Sequence, residues 1–301
     1  MHRASSSRWP SWSMLATGAL LLSLSGCVSG NPVDDGSDSP WIVDDRTTSA
    51  VRILTYNVAG LPDLFSGSHP SVNHELISPM LNNFDIVLVQ EDFWYHEDLS
   101  SRGTLPFFSR PTRKGVFGMG DGLNRFAAHP FEDYIRVTWD KRYGVFRHSN
   151  DRLAPKGFTV ATHYISRFLV VDIYNLHMDA GRDHKDYLAR EAQIGQLAAV
   201  LDEISRGKPV IVAGDWNLRE DRPDDLSLLE GFKEQFSLQD AREVLSVGRD
   251  RIDRILYRSG EGVSIAPISY AVEFDLFRDP EGNPLSDHDA VSVEFLFQAL
   301  P

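Results

Sequence analysis

Six stretches of the chain place ionisable or amide side chains directly beside apolar runs. Asn57 closes the run that begins at Val51, and Glu91 follows Ile86-Val87-Leu88-Val89-Gln90. His177 follows Ile173-Tyr174-Asn175-Leu176, and Asp215 and Asn217 follow Val210-Ile211-Val212-Ala213-Gly214. Asp253 sits in Ile252-Asp253-Arg254-Ile255-Leu256, and Asp287-His288 precede the last apolar run, which starts at Val291. Strand ends on one rim of a sheet converge in space, and in α/β folds that rim is where ligands bind. The assembled set is several carboxylates, two Asn and two His. Hard oxygen donors suit Mg²⁺, with Mn²⁺ or Ca²⁺ as alternatives. Two His suit a general base and a general acid working near neutral pH. This is equipment for metal-assisted attack of water on a phosphoester.

The elements that must position these groups are legible as alternating strands and helices. Strands are predicted over Val51–Asn57, Asp85–Gln90, Ile135–Trp139, Phe158–Ile165, Phe168–Leu176, Val210–Ala213, Ile252–Tyr257 and Val291–Phe297. The nearly continuous apolar run before Glu91 fits a strand buried on both faces. A helix is predicted over residues 71–83 despite Pro79, a second over Asp183–Ser205 and a third over 225–236. The second carries an apolar stripe, Tyr187, Ile194, Leu197, Ala198, Leu201 and Ile204, with Gly207 as its stop. Many strands with few helices predict one domain, a mixed α/β sandwich, with no internal repeat after Val51. Asp92, Asp179, Asp275 and Asp289 read as solvated or capping carboxylates. No motif surrounds His69, His74, His96, His129, His148, His163 or His184.

The composition is that of a globular chain of 301 residues with 42% hydrophobic and 24% charged residues. With 30 Lys+Arg against 43 Asp+Glu the net charge is −13, which argues against nonspecific binding of nucleic acid. One Cys excludes an intrachain disulfide and a Cys-rich zinc site. No Gly-x-Ser-x-Gly and no Walker-type phosphate loop occurs, which argues against a serine lipase and an ATPase.

Residues 1–26 read as an export signal: Arg3 and Arg8 precede a short apolar segment from Met14 to Leu24, too short to span a bilayer. Leu24-Ser25-Gly26-Cys27 resembles the bacterial lipobox, in which the Cys is acylated and becomes the mature N-terminus. With Val28 rather than Asp after it, the resemblance implies sorting to the outer membrane of the cell envelope. Residues 27–50 then form the acylated Cys and a Gly-, Ser-, Pro- and Asp-rich tether, which would keep residues 51–301, the catalytic domain, at the membrane surface.

Taken together in order, Tyr56-Asn57-Val58, Gln90-Glu91, Leu176-His177, Gly214-Asp215-Trp216-Asn217, Ile252-Asp253 and Ser286-Asp287-His288 resemble the Mg²⁺-dependent endonuclease/exonuclease/phosphatase superfamily. The resemblance covers Val51 to Phe297. It implies a DNase I-like four-layer α/β sandwich, two packed mixed β-sheets flanked by helices. It also implies roles. Glu91 would be the principal metal ligand, with Asn57 beside it and Asp287 serving the metal or a second metal. His288 would be the general base, oriented by Asp253; His177 would stabilise the phosphate or protonate the leaving oxygen; Asn217 would hold a phosphate oxygen. Asp215 would orient the nucleophile or act as the base itself.

One segment points to a branch. In Asp151-Arg152-Leu153-Ala154-Pro155-Lys156-Gly157 an Asp precedes a Lys-Gly by five residues, a spacing similar to that of neutral sphingomyelinases. There Lys156 would stabilise developing charge on the phosphate, and Asp151 would act as a loop switch. The position two residues past Asn57, where nuclease branches often carry an acid or Asn, is Ala59. The implied protein is a monomeric, lipid-anchored phosphodiesterase that releases a phospholipid headgroup. A nuclease or phosphomonoesterase of the same superfamily and a non-catalytic lipoprotein that binds a phosphorylated ligand are the alternatives. Phe93-Trp94-Tyr95, Phe107-Phe108 and Phe274 to Phe277 are candidate membrane contacts.

Overall fold

The computed structural model describes residues 44–61, 69–113, 118–143 and 154–301. Cys27, Asp151 and most of the expected tether lie outside the described residues. One sheet contains β1 (Thr48–Asn57), β2 (Ile86–Gln90), β3 (Phe107–Phe108), β4 (Asn124–Ala127), β11 (Val263–Val272) and β12 (Val291–Ala299). The other contains β5 (Phe131–Thr138), β6 (Gly157–Ser166), β7 (Leu169–His177), β8 (Val210–Asp215), β9 (Gln239–Asp240) and β10 (Asp253–Arg258). Helices α1 (Pro70–Met80), α2 (His96–Ser100), α3 (His184–Ile204), α4 (Pro223–Phe236) and α5 (Ala241–Val244) complete the described elements.

The strand orders are β11-β12-β1-β2-β4-β3 and β5-β6-β7-β8-β10-β9. Each sheet has one parallel pair at its centre, β1 with β2 and β7 with β8, and antiparallel neighbours elsewhere. The sequence carries no repeat, yet the two halves share this pattern of directions. A parallel pair needs a crossover rather than a hairpin; α1 supplies it in the first sheet and α3 in the second. Both crossovers return the chain so that the carboxyl ends of the parallel pair lie side by side: Asn57 faces Gln90, and His177 faces Asp215.

Three apolar layers follow from the period of two along the strands. Ile53, Ile86 and Val293 of the first sheet meet Ile173, Ile211 and Ile255 of the second between the sheets. Leu54, Tyr56, Val87 and Val89 face outward onto Ile77 of α1. Tyr174, Val210 and Val212 face outward onto Ile194, Leu197 and Leu201 of α3 and Phe232 of α4. The result is the four-layer α/β sandwich expected.

Several boundaries differ from the expectation. β1 begins at Thr48, because Thr48, Ser49 and Ala50 pair with Gln298, Phe297 and Leu296; the expected tether therefore ends before residue 48. Pro79 lies in the last turn of α1, and residues 81–83 continue as a 3₁₀ turn. β11 was not expected: Pro267 interrupts its pattern, and the strand accommodates it at an edge, with a register shift between Pro267 and Ser269. The stripe of α3 is only partly apolar, since Arg190 and Gln193 are buried on it as well.

Candidate active site

The six stretches meet where the carboxyl ends of the two parallel pairs approach each other. Asn57 Nδ2 donates to Glu91 Oε1 at 3.1 Å and lies 3.3 Å from Asp215 Oδ2, so one amide bridges a carboxylate from each sheet. Its Oδ1 accepts from the Ala59 amide at 3.0 Å. His177 Nε2 lies 3.3 Å from Asp215 Oδ2 and 3.9 Å from Glu91 Oε1. Lys156, immediately before β6, is buried and brings its Nζ to 2.8 Å from the same Nε2. His288 enters from the loop before β12: its Nδ1 lies 2.9 Å from Asp253 Oδ2 and its Nε2 3.8 Å from Asp215 Oδ2. Asn217 Nδ2 donates to the Met178 carbonyl at 3.0 Å, and its own amide donates to Asp215 Oδ1 at 3.0 Å.

The backbone is shaped to allow this. Ala59, Glu91 and Asn217 have φ of 49°, 59° and 50°, a left-handed conformation that costs on the order of 1 kcal/mol for a non-glycine residue and collects at functional sites. A Cβ at Gly60 would sit 2.2 Å from the Glu91 carbonyl oxygen, so the strand-end loops approach closely only because residue 60 has no side chain. Gly214 has a φ of 145°, and a Cβ there would meet the Leu176 carbonyl at 2.0 Å.

Supporting contacts fix the rim from behind. Ser286 Oγ donates to the Asn57 carbonyl at 2.7 Å and accepts from the His288 amide at 3.1 Å, tying the loop of His288 to the end of β1. Trp139 Nε1 donates to the His177 carbonyl at 2.7 Å. Arg254, buried and pointing away from Asp253, bonds Asp240 at 3.1 Å and also reaches Asp250 and Glu220, which secures the loop that carries Asn217.

Two of the carboxylates read as solvated or capping, Asp92 and Asp179, are buried. Asp92 accepts from Asn124 at 2.7 Å and pairs with His96 Nδ1 at 2.6 Å. It therefore locks the residue that follows Glu91, and His96 has a structural part after all. Asp179 accepts from the Tyr143 amide at 2.5 Å. His74 holds the same region, its Nε2 3.1 Å from the Val58 carbonyl. A signal for such contacts exists in the sequence: Gln90 and Asn175 are polar residues inside runs that pack on both faces, where an amide must find a partner. Asp287 is exposed, whereas Asp215, Asp253 and His288 each offer a ligand atom within 4.8 Å of the others. Among the candidate membrane contacts, Trp94, Phe108 and Phe274 are exposed and Phe93 and Phe277 belong to the core.

The charges are balanced by proximity. Burial opposes ionisation of Asp215, but His177, His288 and Lys156 hold it well below the usual carboxylate range. Burial raises Asp253, and His288 only partly offsets this. Burial also disfavours the His288 imidazolium, yet Asp253 and then Asp215 outweigh it and push His288 up to about 10. The donor set fits a hard divalent cation. Glu91, Asp215 and Asp253 offer carboxylate oxygens, and Asp253 Oδ1 is buried with no hydrogen-bond partner among the described residues.

The model of the Endonuclease/Exonuclease/phosphatase family matches residues 54–288, the span that runs from β1 through His288. The chain belongs to this family. Sphingomyelinases of Mycobacterium tuberculosis and Mycobacterium bovis are 32% identical to it over 277 residues, which is 85% of this chain and 54% of theirs. The chain thus spans about half the length of the curated relatives it matches. Solved structures share its fold at lower identity. A Staphylococcus aureus beta toxin mutant with bound magnesium ions aligns at a TM-score of 0.59 with 13% identity, covering 81% of this chain and 99% of that one. D. rerio TDP2 complexed with a single strand DNA product aligns at 0.63 with 18% identity, covering 82% and 99%.

Proposed function

We propose that the protein is a divalent-metal-dependent phosphodiesterase that hydrolyses a phospholipid, in phospholipase C fashion, to release a phosphorylated headgroup. The observation that carries this reading is the buried Lys156 Nζ at 2.8 Å from His177 Nε2, inside a centre otherwise built of carboxylates, amides and the His288 imidazole. The mycobacterial relatives named sphingomyelinase support the lipid as substrate.

Glu91 and Asp215 would hold the cation, assisted by Asp253, with Asn57 donating to both of the first two; Mg²⁺ suits this oxygen-rich set. When bound, it would polarise the phosphate and supply positive charge that the His288 proton otherwise supplies. His288 Nε2, with Nδ1 fixed by Asp253, takes the proton of the attacking water. Asp215 orients that water from 3.8 Å away from Nε2. Water oxygen bonds to phosphorus as the bond to the lipid oxygen breaks. The Lys156 ammonium stabilises the negative charge that develops, and the Lys156–His177 pair delivers a proton to the leaving alkoxide. Asn217 lies beside Asp215 to bind a phosphate oxygen. Acylation at Cys27 would hold the domain on the envelope membrane, next to its substrate.

The test is incubation of the protein with sphingomyelin, phosphatidylcholine and duplex DNA, first with Mg²⁺ and then with EDTA. Headgroup phosphate released with Mg²⁺, lost with EDTA and accompanied by intact DNA supports the reading. DNA cleavage without headgroup release would replace it with a nuclease.

A further inference from the structure

Beside the centre lies a cleft of about 430 Å³ that shares Asn217 with it and reaches Ile252, the neighbour of Asp253. Arg182, Arg219 and Arg222 line this cleft. Its two carboxylates, Asp183 and Asp186, are committed to the first turn of α3, where they form a reciprocal capping box; Asp186 Oδ2 accepts from the Asp183 amide at 2.8 Å. Gly181 makes room for this: its φ is 102°, and a Cβ would lie 2.2 Å from Asp186 Oδ2. The capping box thereby occupies the Asp183 and Asp186 amides, and the positively charged side chains of the cleft are the three arginines.

Their partners leave that charge available. Arg222 Nη1 bonds the Gly181 carbonyl at 3.1 Å and reaches Asp225 at 3.3 Å, which Arg190 already binds at 2.9 Å. Among the described residues Arg219 makes its side-chain ion pair with Asp221, two positions on, at 3.0 Å, an exposed contact that water and salt weaken. Arg182 is exposed and makes no hydrogen bond or ion pair among the described residues. On a chain of net charge −13 such a pocket is unusual, and guanidinium groups bind phosphate bidentately. A quaternary ammonium headgroup would be repelled from it.

We infer that this cleft is a subsite for a second anionic group on the substrate, and that the preferred lipid carries a phosphate on its headgroup in addition to the scissile one. The inference rests on the phospholipid reading above and names the headgroup class. The volume suits one headgroup rather than a polymer strand, which favours a lipid over a nucleic acid.

The test uses two lipids with short acyl chains, assayed below their micellar concentrations so that no surface intervenes: phosphatidylinositol 4-phosphate and phosphatidylcholine. The ratio of kcat/KM for the first over the second is expected to exceed one and to fall about tenfold in Arg182→Gln/Arg219→Gln, the loss expected for a charge-assisted contact. Calorimetry with inositol 1,4-bisphosphate and with phosphocholine gives a readout without turnover: the bisphosphate should bind about tenfold more tightly, and the double variant should lose that margin. A ratio below one, or a ratio and margin unmoved by the double substitution, would overturn the subsite while leaving lipid hydrolysis intact. Hydrolysis of neither lipid would overturn the phospholipid reading, and calorimetry would still decide whether the cleft prefers the second phosphate. Weaker binding of single-stranded DNA by the variant, with no change toward the bisphosphate, would assign the cleft to nucleic acid and overturn the inference.

Discussion

Gln90 Nε2 on the first sheet donates to Asn175 Oδ1 on the second at 2.7 Å, one residue before Glu91 and two before His177. Asn175 Nδ2 in turn donates to the carbonyls of Val89 at 2.9 Å and Asn124 at 3.1 Å. One buried amide therefore sets the spacing between the half of the site on each sheet. Asn175→Ala should strand these partners, at about 1–3 kcal/mol for each group left unsatisfied. Denaturant unfolding should show that loss together with a fall in kcat, because Glu91 and His177 would no longer be held in register. Unchanged stability and activity would mean the sheets are positioned by apolar packing alone.

In the proposed mechanism Asp253 acts through His288, whose Nδ1 it holds at 2.9 Å. Asp253→Asn should lower kcat by about 10²–10⁴-fold, with circular dichroism unchanged. A fully active Asp253→Asn or His288→Ala enzyme would remove His288 from the role of base.

Lys156 separates the lipid reading from its rivals. Lys156→Ala should cost about 10²–10³ in kcat on the phospholipid, with Mg²⁺ affinity retained by calorimetry, since Glu91 and Asp215 remain. A variant that keeps its rate would show that the pairing with His177 serves the fold and not the phosphate.

Metal binding should appear as stability. A cation that binds only the folded protein adds about 2.7 kcal/mol at 100 times its Kd, roughly 5–10 °C in Tm for a domain of this size. Glu91→Gln should abolish most of that rise. An equal rise in both proteins would place the cation elsewhere.

His163 predicts how stability responds to acid far from the site. Burial holds its pKa well below the usual value, and Arg125 beside it lowers it further; its Nε2 accepts from Arg125 Nη1 at 3.1 Å. The folded protein keeps it neutral while the unfolded chain protonates near pH 6.5. Its contribution is thus present above that value and lost as pH falls below it. His163→Gln, whose amide oxygen can still accept from Arg125, should flatten the fall in Tm between pH 6.5 and 5. His96, raised by Asp92 against burial, contributes with the opposite sign, but it is common to both proteins. Parallel curves would refute the assignment.

The strands that carry the site were legible because their runs are apolar on both faces and end in a polar residue, as at Gln90–Glu91 and Leu176–His177. β4 was not, since Asn124 and Arg125 are fully buried there and nothing local separates them from a solvated loop. Asp92 and His96 escaped for the same reason: each satisfies the other, at 2.6 Å, across the loop that leads into α2, a pairing that tertiary burial makes strong and that periodicity does not register. The cluster of Asp215, Asp253 and His288 was legible only as part of a larger collection of polar residues. The pairing of Asp253 with His288 was expected from the motifs, and the two groups meet at 2.9 Å from opposite sheets; that Asp287 is exposed is set by the loop before β12, which no local pattern encodes.

In the proposed reaction water attacks phosphorus within this centre and the lipid oxygen leaves. Turnover of sphingomyelin or phosphatidylcholine in H₂¹⁸O, read by mass spectrometry, tests it directly. One ¹⁸O is expected in the released headgroup phosphate and none in the lipid alcohol. A phosphate that stays on the lipid, or ¹⁸O in the alcohol, would contradict it.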